Sequence, residues 1–383
     1  MENMKDVVTA KIAQKLQKGY ANAQQATIRL REEGKISRDF NFDVGTERRG
    51  ITTNINFFPD PQGNIGSIFH FPKNNPGGLE GDHSFRIHMH AVRQIADKLK
   101  IPAVYLTNLL MGEAWQKKLA YEIMNTHNGW TGRDKVLVRA VGTEVRAFLS
   151  DSYRRLNSPQ IFGTHIDQVY ANGAQLSDGW MDDTRLMVES LLPQPIEVHT
   201  ELNGIIYLAF GVRLSSSDYG DGALELRSFI MQGVCLNGMV RESVLRAVHL
   251  GSKLPNSLGL SDETYLSDSK TTALAIRDLT KNLFKSEAIK TRMLEIKAAS
   301  EMTIDPAREL KNMVAVQKLL KGESEEIGQL LMRNTPEDGL QGDATLWKLS
   351  QGITAYANRE DISVRRRDEL QEIAGDLFNR VKR

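Results

Sequence analysis

Between residues 5 and 33, Val8, Ile12, Leu16 and Tyr20 recur at every fourth position, with Lys11, Lys15 and Lys18 between them. That spacing predicts one long amphipathic helix. Gly19 is expected to weaken its middle, and Gly34 supplies a stop. From Ile51 the period changes to two. "ITTNINFF", the turn "DPQGN" and "IGSIFHF" read as a β-hairpin. "FPKNNPGGLEGDHS" reads as a loop by its Pro, Gly and Asn content. Ser84 is then expected to cap a helix through "FRIHMHAVRQIADKLK", with Pro102 just past its end. "AVYLTNLLMGEAWQKKLAYEIMNTH" is a second helical stretch.

"VLVRAVGTEVRAFLS" reads as strand, Gly-Thr turn and strand, and "PIEVHTELNGIIYLAFGVRLS" as a hairpin turning at Leu202-Asn203-Gly204. Residues 221–250 mix strand and helix signals. Beyond about residue 255 strand signals vanish. Ile276, Leu279 and Leu283 share one helical face, and Asp305 with Pro306 marks a helix start. "ATLWKLSQGITAYAN" and "RRRDELQEIAGDLFNRV" add two helices. The pattern predicts an α+β fold. Its parts are an N-terminal amphipathic helix (1–35), a core of mixed antiparallel sheet and helix (36–250), and an all-helical C-terminal region (251–383).

The 383 residues are 40% hydrophobic and 25% charged, ordinary for a globular chain able to bury a core without staples. The one cysteine, Cys235, excludes an intramolecular disulfide and fits a reducing cytoplasm. No apolar run reaches the ~18 residues of a transmembrane helix. The N-terminus lacks an apolar signal core, so neither membrane nor secretion is expected. The net charge of +1 hides an asymmetry: residues 1–160 hold 23 basic and 16 acidic residues, residues 161–383 hold 26 and 32. Such a layout can present a basic face to a polyanion. Composition noise would give the same totals.

Enzyme motifs are weak. G-x-x-x-x-G-K-[ST] and G-x-G-x-x-G are absent, which counts against an ATPase or a dehydrogenase, and no cofactor is expected. His70, His83, His88 and His90 lack the i, i+4 spacing of helix-borne metal ligands. Cys235 lies in an apolar run with no histidine partner in view. Asp218, Asp221 and Glu225 offer carboxylates of the kind that hold Mg²⁺. "DYGDG" is equally ordinary turn chemistry. More pointed is the run of Arg133, Lys135, Arg139, Arg146, Tyr153, Arg154 and Arg155. In a hairpin, Arg139 and Arg146 fall on one sheet face, where like charges call for an anion or an acidic side chain between them. Cations beside an aromatic ring suit a single-stranded nucleic acid. Glu144 and Asp151 are positioned to neutralise the patch instead.

Four blocks carry a resemblance: "HAVRQIADKLKIPAVYL", "VLVRAVGTEVRAFLSDSYRRLNS", "SSSDYGDGALELRSFIMQGVCLNGMV" and "ATLWKLSQGITAYANR". In this order they resemble a family of phage- and plasmid-encoded proteins that share a domain of unknown function. Ser215-Ser216 stands where that family has Asn-Ser, so no role of the asparagine carries over. The resemblance implies a mobile-element setting in a bacterial cytoplasm. In character it is similar to phage single-strand annealing proteins, which assemble as homo-oligomers and use no ATP. The resulting expectation is an ATP-independent protein that binds or anneals single-stranded DNA in recombination or replication. A metal-dependent nucleic-acid enzyme using Asp218, Asp221 and Glu225 is the alternative, and a protein-binding structural or host-takeover factor is a third.

Overall fold

The computed structural model describes residues 4–44, 54–73, 79–127, 135–150, 153, 156–232, 238–247, 262–333, 340 and 342–381, with backbone alone at 238–247, 262 and 265. The fold is α+β, with two six-stranded sheets. Helix α1 (Met4–Ile36) forms over the predicted stretch and runs two residues past Gly34, burying Val8, Ile12, Leu16, Gly19, Ala23, Ala26 and Leu30, while Tyr20 of the predicted repeat is exposed because the stripe steps to Gly19. It leads into β1 (Ser37–Asp43). The predicted hairpin follows as β2 (Ile55–Pro59) and β3 (Ile65–Phe71). Asp60 Oδ1 closes its turn by accepting from the backbone N–H of Gln62 and Asn64.

The expected helix start at Ser84 is corrected. Residues Gly81–Ile87 form β4, and α2 (Met89–Leu99) begins after it with His88 as its cap. Ser84 stands opposite Ile68 in the β3–β4 ladder, and Phe85 joins the aromatic core, so strand pairing outweighs the capping signal. The second helical stretch divides into α3 (Ala103–Met111) and α4 (Ala114–Thr126). Glu113 between them caps α4 reciprocally with Gln116. The arginine hairpin forms as β5 (Lys135–Val141) and β6 (Glu144–Ser150), followed by α5 (Ser158–Ala171).

The second sheet comprises β7 (Gln175–Met181), β8 (Leu186–Leu191), β9 (Ile196–Thr200), β10 (Gly204–Ser216), β11 (Leu224–Gln232) and β12 (Gly238–Ala247). Residues 221–250 therefore resolve as strand wherever they are described as a regular element. Cys235 and Asn237 lie outside the described residues. Six helices follow: α6 (Asp262–Leu283), α7 (Ser286–Glu301), α8 (Pro306–Ala315), α9 (Lys321–Arg333), α10 (Leu346–Ala357) and α11 (Val364–Asp376). Asp305 caps α8 and Pro306 opens it, as the sequence predicts.

The first sheet runs β1-β5-β6-β4-β3-β2, antiparallel except where β4 meets β6. One face carries Phe40, Phe42, Phe69 and Phe148, packed with α2–α4. The second runs β12-β11-β10-β8-β7, with β9 on the first half of β10. Strand alternation divides β10 cleanly. Leu208, Phe210, Val212 and Leu214 enter the larger core with α5–α11, while Ala209 turns to the opposite face with Val8, Ile12 and Leu16 of α1. Gly19 fits this packing: a Cβ there would stand 1.6 Å from the carbonyl oxygen of Ser177 in β7. Among the described residues no helix is long and apolar enough to cross a membrane.

Candidate nucleic-acid interface

The β5–β6 ladder pairs Arg139 with Ala147 and Ala140 with Val145, which leaves Arg146 as the extra residue of a β-bulge. The bulge brings both guanidinium groups to one ring: Arg139 lies 5.9 Å and Arg146 5.8 Å from the centroid of Tyr219. Both arginines are already engaged. Arg139 donates through Nε to Asp39 Oδ1 (2.8 Å) and through Nη1 to the Asp218 carbonyl (2.6 Å). Arg146, 7% exposed, donates through Nη1 to Glu33 Oε2 (2.7 Å) and through Nε to Glu144 Oε2 (3.1 Å). Burial works against both charges, but the acids beside them hold each pKa above the ordinary arginine value.

Tyr153 is half-buried, and its hydroxyl donates to the Ser217 carbonyl (3.2 Å). Burial and Asp218 push its phenol pKa up. Lys135 is exposed at the start of β5, opposite Asp43. Arg133, Arg154 and Arg155 lie outside the described residues, as does Asp151. The arginine pair is thus brought together as the sequence predicts, but between two sheets and among acids. As placed, neither guanidinium is presented to a strand of nucleic acid.

The segment Ser217–Gly222 provides the other half of this junction. The Tyr219 carbonyl oxygen accepts from Gln94 Nε2 (2.8 Å) and lies 2.9 Å from His90 Nε2, both on α2. Gly220 has φ +79 and Gly222 φ +155, conformations that glycine adopts without strain. The acidic trio does not converge. Asp218 faces Arg139 at 3.9 Å, Asp221 accepts from Thr184 (2.7 Å) and Arg365 (2.6 Å), and Glu225 pairs with Arg227 (2.5 Å). Among the described residues no group of three His, Cys, Asp or Glu side chains is placed to hold a metal. The histidines disperse as well: His70 bonds Asp82, His83 bonds the Glu80 carbonyl, and His88 caps α2.

A broader groove, of about 660 Å³, runs between α1 and α11 over the second sheet. Its floor is a buried ion cluster. Arg213 on β10 donates through Nε to Glu189 Oε1 on β8 (2.8 Å) and through Nη1 to Asp368 Oδ1 on α11 (3.2 Å). Burial pushes the Asp368 carboxyl above its ordinary pKa, whereas Arg213 holds Glu189 below its own despite burial. The walls supply two more cations, which help to hold Glu189 in its charged form. Lys15 and Arg367 line the groove, and neither forms an ion pair with a described residue. Arg367 is steadied by donating to the Ala357 carbonyl (3.1 Å). Trp180 also lines the groove, with a buried indole N–H that has no partner.

On α1, Lys11, Lys15, Lys18, Asn22, Gln25 and Arg29 follow at steps of four and three. They form one polar flank beside the buried stripe, over roughly 27 Å of helix. The lysines of this flank are visible in the sequence. Trp180, Arg213 and Arg367 are not: they join the groove from elements far apart in the chain, and no local motif marks them.

No protein-family model matches this chain, and neither a curated protein nor a solved structure is detectably similar to it.

Proposed function

We propose that this protein binds single-stranded nucleic acid without ATP, as a homo-oligomeric annealing or strand-holding factor, and that the groove between α1 and α11 takes the strand. The observation that carries the reading is the placement of two cations that make no close ion pair with a described residue, Lys15 and Arg367, with the Trp180 indole along one groove. Cations track phosphates and aromatic rings stack on bases whatever the sequence, which is the chemistry of non-specific single-strand binding. The cationic flank of α1 extends the track beyond the groove. The resemblance of the four sequence blocks to phage- and plasmid-encoded proteins supports a role in mobile-element recombination or replication. The test is fluorescence anisotropy of a labelled single-stranded oligonucleotide, followed by annealing of complementary strands without nucleotide. Salt-dependent binding and accelerated annealing are expected. An absence of binding at low salt refutes the reading.

A second reading, a protein-binding factor, is favoured by one corner. Val104 and Tyr105 in the first turn of α3, Met111 at its end and Trp115 at the start of α4 are exposed, Met111 at 72% and Trp115 at 62%. Exposed apolar clusters of this kind commonly mark protein contacts. Chemical crosslinking with Trp115→Ser as control tests it: loss of crosslinked species in the variant supports a protein contact at this corner.

A further inference from the structure

A second cleft, of about 330 Å³, opens between the two sheets. Leu30, Leu156 and Leu186 form its apolar wall, continuous with the larger core. Its polar lining includes Arg185, Ser216 and Asp218, with the acids Glu33, Asp39 and Asp182 beside them. Ser216 is only 4% exposed, yet its hydroxyl has no hydrogen-bond partner. Asp218 Oδ1 is likewise buried without a hydrogen bond, the nearest cation being Arg139 at 3.9 Å. The Arg185 guanidinium forms no ion pair with a described residue. Buried polar groups nearly always find partners, so two buried unsatisfied groups, Ser216 and Asp218, lining one cleft with the Arg185 cation mark a place where a ligand completes the set.

We propose that this cleft binds a nucleoside monophosphate whose base carries a ring N–H beside a carbonyl. The three groups match such a molecule part by part. Asp218 Oδ1 accepts the ring N–H, the Ser216 hydroxyl donates to the adjacent carbonyl, and the phosphate meets Arg185. The leucine wall takes a face of the base. Guanine and uracil present this N–H and carbonyl edge. Adenine and cytosine present an acceptor nitrogen at the same position, which a carboxylate oxygen repels. The inference does not depend on the single-strand groove, whose cations Lys15 and Arg367 do not line this cleft.

The test is isothermal titration calorimetry of the full chain with GMP, UMP, AMP and CMP. The panel is the unaltered protein, Arg185→Ala, Ser216→Ala and the double variant Lys15→Ala/Arg367→Ala, each checked for an unchanged melting profile. Saturable binding of GMP and UMP is expected, with AMP and CMP weaker by roughly tenfold or more, the scale of one charge-assisted hydrogen bond. Arg185→Ala should weaken GMP by a similar factor and Ser216→Ala by severalfold, while the groove variant should bind as the unaltered protein does. No saturation at millimolar concentration, equal binding of all four nucleotides, or a loss confined to the groove variant would each overturn the proposal.

Discussion

Arg146 reaches Glu33 across 113 residues of chain, Nη1 to Oε2 at 2.7 Å, and so ties the bulge of β6 to the last turns of α1. Glu33 is also held by Arg29 at 2.8 Å, and Arg29 in turn holds Asp183 at 2.6 Å. The charges between the sheets therefore neutralise one another within the fold. Removing one partner of such a buried pair strands the others. Arg146→Ala is expected to cost about 3 kcal/mol of stability. It should leave oligonucleotide affinity unchanged at temperatures where the variant is folded. Urea denaturation paired with anisotropy checks both, and a stable variant with weakened binding would place the strand on the arginine hairpin after all.

Gly19→Ala tests the seat of α1. Alanine is the better helix former by roughly 1 kcal/mol. The added methyl, however, meets the Ser177 carbonyl, and the next glycine of β7 is also close to the helix, a Cβ at Gly179 standing 2.7 Å from Ala23 Cα. Overpacking of this kind costs about 2 kcal/mol. A net loss of stability by denaturant titration is expected. A stabilised variant would show that helix and strand are not in such close contact.

His165 on α5 gives a pH signature. It is fully buried, its Nδ1 lies 2.9 Å from the Thr280 hydroxyl, and its Nε2 has no partner. Burial lowers its pKa to about 3. Below the ordinary histidine value of about 6.5 the unfolded chain binds a proton that the folded chain refuses, so stability falls as pH falls through this window. The slope is about 1.4 kcal/mol per pH unit, or roughly 2 kcal/mol between pH 6.5 and 5. His165→Gln should flatten that stretch of the profile by this amount. An unchanged profile would show that His165 is not held neutral in the folded state.

A second acid limb is expected lower. Asp182, Asp183 and Asp221 are partly desolvated, which alone would raise their pKa values. Backbone N–H groups and Arg365 at Asp182, Arg29 and Arg146 at Asp183, and Thr184 and Arg365 at Asp221 bring them below the ordinary carboxylate value. Carboxylates with lowered folded pKa values contribute stability above their unfolded pKa, near 3.9, and lose it as pH falls through their folded values. Arg365→Ala should shrink this limb. Acid titration followed by circular dichroism would expose the idea as wrong if the variant and the unaltered protein lost structure at the same pH.

Periodicity made much of the architecture legible: the four-residue repeat of α1, the alternation of β2–β3 and β5–β6, the turn at Asn203-Gly204, and the Asp305-Pro306 helix start. Ser84 misled because a serine before an apolar run looks the same whether it caps a helix or pairs with Ile68 in a ladder, and only the third strand decides. The pairing of Arg139 and Arg146 was legible only in part. Glu144, which binds Arg146, is a local neighbour, but Glu33, Asp39 and Asp183, which complete the neutralisation, come from other elements. The groove was least legible, since Lys15, Trp180, Arg213 and Arg367 meet only once the second sheet has formed between α1 and α11.

The central claim is that the groove between α1 and α11 holds a single strand. The most direct test is anisotropy of a labelled oligonucleotide over a salt series, with the unaltered protein and with Lys15→Ala/Arg367→Ala. The account predicts salt-dependent binding, weakened roughly tenfold in the double variant, with the log–log salt slope shallower by about 1.4 for two lost phosphate contacts. Binding that is absent at low salt, or identical in affinity and slope for the two proteins, would contradict it.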